Sequence, residues 1–443
     1  MYGLSTGCGR GLAEIARLRH LRIMTQHNET QPDQSPRPAH TAKVTLRSPA
    51  ELADALPYLL GFQPTDSVVM VALHGRHSRF GGRLRLGIPA DPLEWPEVAT
   101  ELAECLVRGS EQRGGRPDSI VVFLCPEPAD GERPAQTMER MRPLAQLLRV
   151  ACGALDVPVI EALCVSDGRW WSYTCADTGC GCPPDGAEIS SSGDSVMAAA
   201  AVYAGIRVRG SLREMEARFA PPASATSAVQ EQALDAAAAE LVPRMLGGDE
   251  DAVETVRSET LALAEAALKR FREAPPEEDG LRGDAGDDML LDDAEAAAII
   301  LGLQDRVTRD HAAEWMEPPH AEPALRLWRA LARRCVRSFE DHAAAPLTLA
   351  GWVAWSAGDE PTARVAFGRA LALDPDYTFA RLLYAALNNG LDPEPLRGCL
   401  RKLRRQRLGR PGTCAKPRRG PAGSAGRGPG RRSPGARRAR IRR

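Results

Sequence analysis

Four cysteines fall within nineteen residues: Cys164, Cys175, Cys180 and Cys182. Thiolates are soft ligands, and four of them suit the tetrahedral demand of zinc. The spacing, Cys-x10-Cys-x4-Cys-x-Cys, differs from the paired Cys-x2-Cys of a zinc ribbon, and no histidine lies nearby to complete a set. Three readings stay open: a structural zinc, a redox pair, or reduced thiols in a turn stiffened by Pro183-Pro184. Cys164 sits in an apolar run, where a free cysteine behaves as a small hydrophobe. Zinc is the only cofactor these residues suggest. The eleven cysteines are odd in number and scattered, which argues for reduced thiols rather than a disulfide framework.

Aromatic and polar residues at strand ends form a second group. Trp170, Trp171 and Tyr173 could stack a ring or a sugar, but adjacent strand residues point to opposite faces, so the two tryptophans cannot form one platform. Asp66-Ser67 precedes an apolar run, either as a polar pair at a sheet end or as a turn that bonds its own backbone. Asp167 and Arg169 flank a tight turn. Open α/β sheets bind ligands at such ends. Five of the eight histidines (His20, His27, His40, His74, His77) lie in the N-terminal segment or a turn, so a histidine-centred reaction is not expected. The phosphate loop Gly-x4-Gly-Lys-Ser/Thr and a dinucleotide-binding Gly-x-Gly-x2-Gly after a strand are absent.

The elements that position these residues follow from pattern. Ser48-Pro-Ala-Glu51 is a capping box with proline at the first helical position; Leu52, Leu56, Leu59 and Leu60 give the apolar face, and Gly61 the stop. Ser67–Leu73, Ser119–Leu124 and Val157–Val165 read as buried strands, separated by helices at Glu97–Val107 and Ala135–Cys152. Arg83–Ile88 alternates Arg and Leu, as a strand with one wet face would. Asp167-Gly168 is a hairpin turn leading to a strand over Arg169–Thr174. From Asp194 the pattern turns helical and alanine-rich. The acidic stretch Glu277–Asp288 reads as a solvated linker, and Asp292-Asp-Ala-Glu295 opens a helix. Gly351, Ala354, Ala363, Phe367, Ala370 and Pro375 approach tetratricopeptide spacing; a single repeat is expected to dock on the preceding helices. The fold class is therefore a layered, mixed α/β sheet with flanking helices, followed by an α-helical region with a tetratricopeptide-like helix pair.

The net charge of −1 hides an asymmetry. Seventeen of the 57 basic residues and none of the 58 acidic ones fall in residues 401–443, leaving 40 basic against 58 acidic before them. An acidic body is a poor nucleic-acid binder, so any such partner is expected only at the basic tail. That tail is nearly all Arg, Gly, Pro and Ala, which suits either a disordered basic arm or an out-of-frame read of GC-rich DNA. Residues 1–43 read as a disordered or mis-assigned extension, with Met24 as an alternative start. Domains are expected at 44–193 (α/β) and 194–400 (helical), with 401–443 as tail. Apolar runs fall short of the ~18 residues a membrane span needs, so no membrane partner and a cytoplasmic location are expected.

Ser48–Leu73 (SPAELADALPYLLGFQPTDSVVMVAL), Val157–Tyr173 (VPVIEALCVSDGRWWSY), Cys175–Gly186 (CADTGCGCPPDG) and the AGDEPTARVAFGRALALDPDY pattern within Ala345–Leu391 together resemble the domain of unknown function 4192 family of actinobacterial proteins. The resemblance runs over roughly residues 44–400. It implies no activity, and it implies that residues 1–23 and the tail lie outside the usual extent of the family. Gly181 separates Cys180 from Cys182 where similar proteins often place the cysteines together. With no catalytic constellation in sight, the expected role is a small-ligand or protein-binding, regulatory module. The alternative is an enzyme using Asp66, Asp167 and Arg169.

Overall fold

The computed structural model describes residues 46 and 48–408, except 76–77, 176–182, 190–195, 204–207, 222–225 and 275–279. Ser48 caps helix α1 (Pro49–Leu60) by accepting from the Glu51 amide at 3.2 Å. Gly61 ends it at φ +82°, a left-handed conformation that glycine adopts without strain. A Cβ there would also lie 2.6 Å from Pro361, so the chain end of α1 is pressed against a distant helix.

The sheet order is β2-β1-β3-β4-β5-β6. It comprises β1 (Ser67–His74), β2 (Arg79–Gly87), β3 (Ser119–Cys125), β4 (Val159–Ser166), β5 (Arg169–Ser172) and β6 (Ala187–Glu188). β3 and β4 are parallel; every other neighbouring pair is antiparallel. A parallel pair needs a crossover, and helix α3 (Pro134–Ala154) supplies it. α3 and α2 (Trp95–Glu111) cover one face of the sheet, burying Val68, Met70, Val122, Leu124 and Cys164. Both faces of β1 and β3 are covered, which is why their sequences are continuously apolar rather than alternating.

The opposite face, carrying Val69, Val71, Val121, Phe123 and Leu163, packs into one continuous core with the helical region. That region runs α4 (Val196–Tyr203), α5 (Leu212–Ala217), α6 (Thr226–Gly247), α7 (Glu250–Glu273), α8 (Leu281–Asp288), α9 (Asp293–Gly302), α10 (Arg306–Ala312), α11 (Ala321–Arg333), α12 (Ala344–Ser356), α13 (Glu360–Leu373), α14 (Thr378–Asn388) and α15 (Glu394–Leu408). A backbone bridge joins the two parts: the Gln63 amide donates to Gly210 O and the Leu212 amide to Gln63 O. Gly351 of α12 lets Phe367 of α13 approach, since a Cβ at 351 would lie 2.5 Å from the ring.

Two expectations fail here. Glu277–Asp288 is no solvated linker over its second half: from Gly280 it turns into α8, and Asp284 and Asp287 are 3% exposed. Residues 277–279 lie outside the described residues. The cause is a set of arginines facing α8. Arg326 grips Asp287 with Nε and Nη2, at 2.5–3.2 Å, and donates to Phe271 O and Ala274 O at the end of α7. Arg333 holds Asp288 at 2.7 Å and donates to Arg218 O and Asp284 O, while Arg218 holds Asp284 at 2.6 Å. The wet face of β2 is likewise not wet. Arg83 is 8% exposed, and Arg364 of α13, which covers that side, is 6% exposed.

Breaking a buried pair strands its partner charge, at a cost of about 3–5 kcal/mol. Asp287→Ala is therefore expected to lower unfolding stability by about 3 kcal/mol or more in urea titrations. Asp251→Ala, which removes an equally acidic but exposed residue at the start of α7, is expected to change it by less than ~1 kcal/mol.

Candidate functional site

The residues singled out from sequence are mostly consumed by the fold. Asp66 adopts φ +40°; its Oδ1 accepts from the Glu127 amide at 2.9 Å and its carbonyl from Ile88. Ser67 Oγ donates to Thr65 O and accepts from Arg85 Nε at 2.8 Å. Asp167 and Gly168 both have positive φ, as a tight hairpin requires. Arg169 is tied to Asp185 O, Gly186 O and the Glu188 carboxylate. Trp170 packs toward the helical region and Trp171 toward α3, so the two rings do face opposite ways. Trp171 Nε1 donates to Pro184 O, and Tyr173 OH to Met138 O at 2.8 Å. These side chains lock turns and sheet edges, and the structure does not gather them around one opening.

The cysteines divide. Cys164 is buried opposite Trp171 in the ladder, and burial pushes its thiol up to about 12, away from the thiolate a metal needs. Cys175 is exposed, three residues past the end of β5, where its amide donates to Ser172 Oγ. Cys180 and Cys182 lie outside the described residues. Among the described residues no group of three or more His, Cys, Asp or Glu is placed to share a metal.

The structure instead builds a cavity of about 800 Å³ among α5, α8, α11 and the start of α13. Its wall is ionic, and the charges pair off in turn. Arg218 faces Asp284, Arg326 faces Asp287, and Arg209 meets Asp359 at 3.0 Å. Glu214 spends its carboxylate on the Ser211 amide in a capping box. Arg329 is left over. It is 7% exposed, its guanidinium lies 5.4 Å from the centre of the Phe219 ring, and among the described residues it has no hydrogen bond or ion pair. Burial, aided by the neighbouring Arg218, lowers its pKa to about 10; Asp284 and Asp359 pull the other way without reaching ion-pair distance.

Sequence reasoning missed Arg329 because helix charges are ordinarily solvated. A signal was present: Arg326, Arg329 and Arg333 recur at helical spacing on the face opposite Leu327 and Leu331, and Asp284, Asp287 and Asp288 share one face of their own helix.

The profile of the family described as "Domain of unknown function (DUF4192)" matches residues 49–394. The chain belongs to this family. No curated protein and no solved structure matches it. The match covers the whole sheet and every helix through α14, so the cavity around Arg329 lies within the family region rather than in an appended segment.

An unpaired buried cation opposes folding. Its pKa is depressed in the folded chain, so the penalty is complete at neutral pH and is relieved as pH rises above about 10 toward the ordinary arginine range. Arg329→Met keeps the length and the contact with Phe219. It is expected to gain about 1–3 kcal/mol over the parent protein at pH 7, with the margin narrowing above pH ~10. Urea unfolding of both proteins at the two pH values measures this; a variant less stable at pH 7 would mean the guanidinium already has a partner.

Proposed function

We propose that the protein is a binding module for a small anion, carboxylate or phosphate, received in the cavity at Arg329. The observation that carries the reading is the leftover charge: on the cavity wall Arg209, Arg218 and Arg326 have carboxylate partners, and Arg329, as buried as Arg326, has none among the described residues. A guanidinium offers a planar fork that fits carboxylate or phosphate oxygens, and a bound anion removes the penalty of burying it. The paired arginines around it act as a rigid frame. Asp359 serves that frame twice, binding Arg209 and accepting from the Thr362 amide at the start of α13. The reading of α12 and α13 as a tetratricopeptide-like pair also belongs to this proposal. Its support is the Gly351–Phe367 contact, and its role here is to wall the cavity rather than to bind a peptide.

Thermal unfolding in the presence of inorganic phosphate, pyrophosphate or citrate, at constant ionic strength, tests the reading. At least one of them is expected to raise Tm by a few degrees in a concentration-dependent way. Arg329→Met is expected to abolish the rise. A rise of equal size in both proteins, or none in either, removes the proposal.

A further inference from the structure

A second cavity, of about 250 Å³, opens where the edge strand β2 meets α2 on one side and α5, α13 and α14 on the other. It shares no lining residue with the Arg329 cavity. Three of its charged groups are incompletely engaged. Arg85 uses Nε on Ser67 Oγ, and neither of its terminal nitrogens has a protein partner among the described residues. Arg369 has no hydrogen bond or ion pair among them, and its Nε is buried. Glu216 of α5 feels both arginines electrostatically but makes no hydrogen bond or ion pair with either. Arg364, by contrast, is occupied by Glu360 at 3.0 Å and by Asn388 Oδ1. Behind it lies Arg83, buried and without a partner for Nε, which adds to the positive field.

Glu101 and Tyr384 also line the cavity, and most of the remaining wall is apolar, with Phe62, Leu84, Leu212 and Val365 among its residues. With Arg364 and Glu101 already engaged, the charges left over around the chamber are two cations, Arg85 and Arg369, and one anion, Glu216, complementary to a molecule that carries the opposite set. We propose that this cavity binds a zwitterionic α-amino acid with an apolar side chain. Its carboxylate bridges Arg85 and Arg369, its ammonium faces Glu216, and its side chain packs on Phe62 and Val365. The volume, about eight times the ~30 Å³ share of a water molecule in the liquid, suits a ligand of roughly the size of leucine. The charge pattern excludes two simpler ligands. A plain carboxylic acid would leave Glu216 beside a second anion, and a plain amine would leave both arginines unmatched. Burial already lowers the pKa of Arg85 and of Arg369, so both gain from a carboxylate that replaces lost water.

Calorimetric titration of the full chain with L-leucine, isocaproate and isoamylamine separates these cases, because the last two are leucine without its amino group and without its carboxylate. L-leucine is expected to bind at least tenfold more tightly than either analogue. Arg369→Met is expected to weaken L-leucine tenfold or more. Glu216→Gln is expected to weaken L-leucine while leaving isocaproate unchanged or improved. Arg329→Met is expected to keep the preference for L-leucine over both analogues and the loss of that preference in the two cavity variants, so failure here is distinct from failure of the anion site. Equal binding of L-leucine and isocaproate, L-leucine binding indifferent to both cavity variants, or no binding by any of the three overturns the inference.

Discussion

The helical region depends on neutralising arginines that helix packing has taken out of water. Helix α11 is the hub. Its apolar stripe, with Leu327, Trp328 and Leu331, sits in the core, and the same packing buries Arg326 and Arg333. Guanidinium keeps its proton at neutral pH, so burying one is costly unless carboxylates or carbonyls meet it. Helix α8 meets that demand. It has little apolar surface of its own, and it is ordered because Asp284, Asp287 and Asp288 close the charges and because Arg333 reaches its backbone at Asp284 O. The partly buried Asp288 carboxyl is raised by that burial and opposed by Arg333, which shows how closely the two effects balance. The same network extends to Arg334, which bonds Asp293 and the Asp288 and Leu291 carbonyls and so fixes the turn between α8 and α9.

How much of this was legible in the sequence depends on whether the governing interaction is local. Ser48, Gly61, Asp167-Gly168 and Asp292 announce their turns because a cap or a left-handed residue acts within three or four positions, and each behaves in the structure as its type dictates. The buried strands were legible because two covered faces demand unbroken apolar runs. What could not be read was non-local. Arg83 and Arg85 look solvent-facing until α13, nearly three hundred residues later, lies over them. Asp287 looks solvated until Arg326 is placed beside it. The surroundings of the candidate site residues were equally hard to read. Asp66, Ser67 and Arg169 carry the right atoms, but backbone groups in neighbouring turns use them.

Arginine plays three parts within one short stretch of structure. On Arg326 and Arg333 it is a cross-link between helices, satisfied on several nitrogens at once. On Arg309 it is a cover for aromatic rings, 4.6 Å from the Phe379 ring centre while bonding Tyr377 OH. On Arg329 it stacks on Phe219 without an anionic partner. The planar, charged group is the same in each place, and the neighbours decide whether it clamps, covers a ring or is left unpaired.

The shared core between sheet and helices also has a consequence for synthesis. The face of β1 and β3 that carries Val69, Val71, Val121 and Phe123 is closed by residues from Leu212 onward, including Trp328, Trp352 and Phe367. A ribosome working at roughly 5–20 residues per second needs on the order of 10–40 s to make the next two hundred residues after the sheet. During that interval only α1, made before the sheet, is at hand for this face, and most of the apolar surface it shares with the later helices is uncovered. The chain therefore spends its most aggregation-prone period tethered and half made, when a holding chaperone has the most to protect.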